Sequence, residues 1–148
     1  MISFERYAEF LTRSAATSEV VIHASLARIG GHAKTMAAEY IGHELPQWRP
    51  LAASTIAQKE RLGFTGHVSA TDPLLRTGGM RDSIVSEVSG HEVVVGSDDQ
   101  KAVWQELGTS RIPPRPFLAL AMSNATEYAG EVFGEAALAM LIPPEARR

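Results

Sequence analysis

The 148 residues carry 14 basic and 17 acidic side chains, a formal net charge of −3, 45% hydrophobic residues and no cysteine. A chain of this length buries roughly 70% of its unfolded surface as one domain and needs no staple, and without cysteine it has neither disulfides nor thiol chemistry to offer. The basic residues are scattered along an acidic chain, so no footprint for sequence-specific nucleic-acid binding is expected, and neither a signal peptide (Glu5-Arg6 interrupts the start) nor a membrane span is expected from the apolar runs.

Phe4, Tyr7, Ala8 and Leu11 recur at helical spacing behind Ser3, which predicts a short amphipathic helix with a serine cap. Ser18 is placed to cap a second helix over 18–41, striped by Ile22, Leu26, Ile29, Ala33, Met36 and Tyr40. Gly30-Gly31 in its middle cost about 1 kcal/mol each against alanine, which predicts a bend or a close approach. The stripe is assigned to the domain's own sheet in preference to a coiled-coil seam with a partner subunit. Pro46 and Pro50 bracket a loop anchored by Trp48, a helix over 52–62 stops at Gly63, and 63–73 is small, polar and aperiodic, the pattern of a mobile loop.

Thr77 caps one or two turns through Met80 and Arg81 that deliver the chain to a strand at Ile84. Ile84 to Val88 and Glu92 to Val95 flank Ser89-Gly90-His91 and read as an antiparallel hairpin, with the run Val93-Val94-Val95 predicting burial on both faces. Ser97-Asp98-Asp99-Gln100 has the form of a capping box for a short helix that presents Val103, Trp104 and Leu107 to the core and ends at Gly108. In Ile112-Pro113-Pro114-Arg115-Pro116 three residues lack an N–H and three precede a proline, so the backbone is held as an extended strap, with Pro116 opening a final helix over 117–141. Leu118, Ala121, Met122, Ala125, Tyr128, Ala129, Val132, Ala136 and Met140 stripe that helix, and Pro143-Pro144 end it, leaving 143–148 as a disordered tail. The fold expected is α+β: a small antiparallel sheet packed against two long helices in a single domain, 1–148.

Constellations for chemistry are absent from the pattern. The five histidines (His23, His32, His43, His67, His91) never fall at i, i+4, and the second histidine that His43-Glu44 would need is Gln47. No serine elbow occurs, and Gly30-Gly31 and Gly78-Gly79 lack phosphate-loop spacing. Asp98 and Asp99 are read as helix-capping acids. No catalytic, cofactor-binding or metal residue is therefore assigned. Arg81, Arg111 and Arg115 are assigned as intersubunit or partner contacts, the last two because a rigid strap displays side chains at small entropic loss.

Val103 to Leu118, VWQELGTSRIPPRPFL, resembles the hallmark segment of the tailed-bacteriophage virion-morphogenesis proteins, the tail-completion or head-to-tail joining group. Trp48-x-Pro50-Leu51 with Ser54-Thr55-Ile56-x-x-Lys59, then Leu75-x-Thr77-Gly78-x-Met80-Arg81-x-Ser83-Ile84, and Val95-Gly96-Ser97 are similar to the same family in the same order, so the resemblance covers about half the chain. Ala52 and Ala53 depart from it, standing where a polar helix cap is expected. The resemblance implies a structural virion protein, not an enzyme, that completes the tail or joins it to the head as a homo-oligomeric ring, six copies matching the tail symmetry. It further implies contacts with other head–tail connector or tail proteins, no cofactor, no membrane, and a place in the neck or tail of the virion after assembly in the host cytoplasm. The residues alone leave one alternative, a small soluble hydrolase using dispersed His, Asp and Glu side chains around 42–47 and 98–99.

Overall fold

The computed structural model describes residues 3–63 and 69–147. Ser3 accepts a hydrogen bond from the Arg6 N–H (3.4 Å) and starts α1, Phe4–Ala16. The helix buries no residue: Tyr7 and Leu11 are half-buried, but Phe4 and Ala8 of the expected face are exposed. Its attachment is instead the Tyr7 hydroxyl, which donates to the Leu141 carbonyl (3.1 Å). α2, Ser18–Tyr40, is preceded by Thr17 in the cap position, while the Ser18 hydroxyl turns back to the Ala15 carbonyl (2.9 Å).

α2 is the axis of the domain. Leu26, Ile29 and Ala33 from its stripe are buried, with Ser25, Gly30 and Ala37 beside them. It packs on both strands of the hairpin, β1 (Ile84–Ser89) and β2 (Glu92–Ser97), and along α6 (Leu118–Leu141). Gly30 explains how helix and sheet come so close: a Cβ there would lie 2.2 Å from Ser86 Oγ and 2.4 Å from Val93 Cγ2. A close approach does occur at Gly30, and the surface approached is the sheet. The strands pair antiparallel from Ile84↔Ser97 to Ser89↔Glu92, and the Gly90-His91 turn between them takes φ 56° at Gly90, the positive value a two-residue hairpin requires.

Burial alternates along β1 and through Val95 of β2, so over that length one face of the hairpin is covered and the other is open. Val94 is 63% exposed, correcting the expectation that three consecutive valines are buried on both faces. Among the described residues no second layer reaches the far side of the two-stranded sheet, and period-two alternation decides which valines are wet.

Two clusters form the core. Ala37, Ile41, Trp48, Met80, Ile84, Ala102, Phe117 and Ala121 make the larger one, and Ile29, Ala33, Ala125 and Val132 the smaller, with Val95 packed against both. The α+β architecture expected from the sequence is the one observed, a small antiparallel sheet covered by two long helices in a single domain. Among the described residues no helix is long and apolar enough to cross a membrane.

The shorter elements differ in detail. α3, Ala53–Leu62, starts without a side-chain cap, as Ala52 and Ala53 imply, and stops at Gly63 (φ 73°). Residues 64–68 of the expected loop lie outside the described residues. α4, Gly79–Asp82, follows Gly78 (φ 84°) at the cap, so glycine's left-handed backbone replaces the expected Thr77 hydroxyl. Beyond α6, Pro144–Ala146 form a 3-10 turn, and Arg147 donates to the carbonyls of Ala139 (2.7 Å) and Ile142 (2.8 Å). A cation on the last carbonyls of a helix satisfies groups that would otherwise need water.

Candidate functional site

The strap after α5 is held at several points by hydrogen bonds. α5 spans Gln100–Leu107 and is capped by Asp99, whose carboxylate accepts from the Lys101 N–H (2.9 Å) and pairs with the Lys101 Nζ (2.9 Å). The backbone hydrogen bond from Lys101, then its side chain, hold the Asp99 carboxyl below its ordinary range. Ser97, expected as this cap, remains the last residue of β2; its hydroxyl pairs with Ser83 Oγ (2.6 Å) and accepts from the Asp99 N–H (3.1 Å).

The helix turns a different side inward from the one its hydrophobicity suggests. Ala102 is buried, whereas Val103 and Trp104 are each 46% exposed and Leu107 is 75% exposed. The reason lies in what the inward side supplies. Ala102 is small enough to meet the core closely, the Gln105 carbonyl accepts the Arg115 N–H (2.7 Å), and Glu106 reaches the start of α6. Its Oε2 accepts from the Phe117 (2.8 Å) and Leu118 (2.9 Å) N–H groups, and its Oε1 from that of Ala119 (2.9 Å). One carboxylate thus takes three orphan donors at the positive end of the longest helix, which begins at Leu118 without a side-chain cap of its own.

Gly108 (φ 76°) reverses the chain so tightly that a Cβ would lie 2.9 Å from both the Ile112 carbonyl oxygen and Pro114 N. The Thr109 hydroxyl accepts from the N–H groups of Arg111 (3.2 Å) and Ile112 (3.1 Å), and the Thr109 N–H donates to the Ile112 carbonyl (2.8 Å). Phe117, at the far end of the strap, is fully buried.

The three arginines singled out from the sequence do not form one group. Arg81 is exposed and pairs with its neighbour Asp82 (3.1 Å), beside a depression bordered by Lys34, Glu39 and His43. Arg111 is exposed on the strap. Arg115 is not displayed on the outside of the strap: only 5% of it is accessible, and it borders the cleft described below. Its Nη2 donates to the Arg49 carbonyl (2.9 Å) and, at the limit, to that of Pro50 (3.5 Å), tying the strap to the Trp48 loop. Nε is buried with no partner among the described residues, and burial pushes the guanidinium pKa below its usual value.

Arg111 and Arg115 do share a cleft of ≈ 640 Å³ with Arg49, Lys59, Arg76 and Lys101. Lys59 is 9% exposed and donates its Nζ to the carbonyls of Ser69 (3.0 Å) and Asp72 (2.7 Å); burial lowers its pKa, with the Asp72 charge opposing. Basic residues scattered in sequence are thus gathered in space. Lys59 lies with Thr55 and Ile56 on the part-buried side of α3, where a lysine must find oxygen partners, and its place in the sequence carried no signal of this. Arg49, Arg76 and Lys101, separated by 27 and 25 residues, carried none.

Of the histidines, His91 pairs with Glu19 (2.9 Å) and His32 stacks on Tyr128 (4.3 Å between ring centroids). His67 lies outside the described residues. No group of three or more His, Asp and Glu side chains that could hold a metal occurs among the described residues. No protein-family model matches this sequence, and comparisons with curated proteins and with solved structures gave no match either.

Proposed function

We propose that this chain is a structural virion protein that completes a phage tail or joins it to the head, working without a cofactor as a ring of identical subunits. The resemblance through Val103–Leu118 and the three upstream pieces motivates the reading. The observation that carries it is the outward face of α5, where Val103, Trp104 and Leu107 stand in solvent beside a strap locked by Thr109 and Gln105. A partly exposed tryptophan with aliphatic neighbours on a rigid support is the composition of an interface anchor, and desolvating it favours association at small entropic cost. Repeated around an axis, one such heterologous contact closes a ring; six copies would match a six-fold tail. Connector or tail proteins are the neighbours such a ring would meet, in the neck or tail of the virion.

The four resembling pieces also converge. Trp48, Met80, Ile84 and Phe117 belong to one core cluster, with Leu75 and Val95 packed against it, so the pieces that carry the resemblance behave as one packing unit. The hydrolase alternative has no comparable support: Asp99 is engaged as a helix cap, and Glu44 stands exposed.

The test is mass measurement over a dilution series, with electron microscopy at the concentrated end, for the parent and the double variant Trp104→Ala/Leu107→Ala. Rings are expected from the parent, and a monomer with parent-like melting from the variant. A parent that never exceeds a monomer, or a variant that assembles normally, would refute the reading.

A further inference from the structure

The cleft beside the strap carries an imbalance of charge that the chain itself does not resolve. Six cations border it (Arg49, Lys59, Arg76, Lys101, Arg111 and Arg115), against one bordering carboxylate, Asp72. Among the described residues only Lys101 has a carboxylate within bridging distance, and that is Asp99. Lys59 and Arg115 are nine-tenths buried and make do with backbone carbonyls, and Arg115 Nε has no partner among the described residues. Gln105, also on the cleft, leaves its Oε1 buried and unsatisfied. A buried cation with only neutral partners costs free energy that an incoming anion recovers.

We propose that this cleft binds an acidic, extended segment of a partner protein. Two features select a peptide over other anions. The walls between the cations are apolar, with Leu51, Leu74 and Ile112 among them, which suits side chains alternating with carboxylates. The unsatisfied Gln105 Oε1 calls for a donor as well as the anion that Arg115 calls for, and a peptide brings backbone N–H donors beside its carboxylates, which the phosphodiester linkages of a nucleic acid do not. Nucleic acid fits less well: its phosphates bind a stripe of exposed cations on a basic surface, whereas two of these cations are buried and the whole chain carries −3. The proposal concerns the cleft of a single chain and does not depend on ring formation.

The experiment is fluorescence polarisation with labelled peptides in which glutamate or aspartate alternates with leucine, valine or proline, run against the same peptides with the amides in place of the acids. The double variant Arg49→Gln/Arg111→Gln removes two exposed cations without touching the core, and its urea midpoint should equal the parent's. Acidic peptides are expected to bind the parent with strong salt dependence, and the double variant about tenfold or more weakly. Equal binding of acid and amide peptides, unchanged binding by the double variant, or tighter binding of a single-stranded oligonucleotide than of any acidic peptide would each overturn the proposal. Monomeric protein that binds the acidic peptides would sink the ring and leave the cleft standing; rings that ignore them would do the reverse.

Discussion

Arg115 and Arg111 lie four residues apart on the same strap, and replacing each by alanine should have very different consequences for the fold. Arg115 is 5% exposed, so Arg115→Ala removes two buried methylenes, worth roughly 1.6 kcal/mol of transfer free energy. It also strips the Arg49 carbonyl of its 2.9 Å donor, and an acceptor left unpaired in this part-buried place costs about 1–3 kcal/mol at most. Against these stands relief from burying a cation that has no carboxylate partner, which offsets about 1 kcal/mol. The net expectation is a destabilisation of about 2–3 kcal/mol, a fall in melting temperature of roughly 5–10 °C for a chain of this size. Arg111→Ala, on an exposed side chain, should stay within about 0.5 kcal/mol of the parent. Urea denaturation followed by circular dichroism reads both, provided the slope is unchanged and only the midpoint moves. A parent-like midpoint for Arg115→Ala would refute the structural role of its guanidinium, and an equal loss from Arg111→Ala would show that the strap depends on charge in general.

Phe117→Ala, at a fully buried position between strap and α6, should cost about 3–5 kcal/mol in the same assay. The two adjacent glycines of α2 should separate cleanly: Gly30→Ala drives a methyl into Ser86 and Val93 and should lose about 1–3 kcal/mol, while Gly31→Ala, with nothing within 4 Å, should gain about 0.5–1 kcal/mol from helix propensity. Asp99 has a folded pKa below its unfolded 3.8, so between the two values the unfolded chain binds more protons and stability rises with pH. Its contribution is complete above 3.8 and lost as pH falls through the folded pKa, so Asp99→Asn should flatten the acid limb of a stability–pH curve; an unaltered limb would show that the cap bonds do not survive in solution.

The elements that could be read from the sequence are those whose local and tertiary preferences agree. The 18–41 and 117–141 helices have long stripes that stay buried in the domain, and the hairpin has β-branched runs around a glycine turn; all three occur within a residue or two of expectation. Ambiguity enters where the chain offers two acceptable solutions. Ser97 and Asp99 are both good caps two residues apart, and the choice fell to Asp99 because Ser97 was engaged by Ser83 across the start of the hairpin. On α5 the apolar residues Val103, Trp104 and Leu107 outnumber Ala102 on any hydrophobic count, yet an eight-residue helix is oriented by its strongest attachments. Here those are the Gln105 carbonyl and the Glu106 carboxylate, polar groups whose partners lie 10–13 residues downstream.

The cleft illustrates the same limit for function. A proline strap fixes its own backbone, which is why Arg111 and Arg115 could be picked out as displayed side chains, but backbone stiffness does not say which way each arginine points. Direction is set by Thr109, whose hydroxyl closes the turn below Arg111, and by the Arg49 and Pro50 carbonyls, which pull Arg115 inward across 65 and 66 residues of chain. Once Arg115 is inside, the Trp48 loop is drawn against the strap and brings Arg49 with it, and α3 brings Lys59 on its part-buried side. Each cation therefore reaches the cleft for a local reason of its own, and their mutual repulsion is tolerated because backbone carbonyls solvate the two that are buried. An arrangement that gathers like charges in this way gives up folding free energy, and an acidic ligand that neutralises them would recover it on binding.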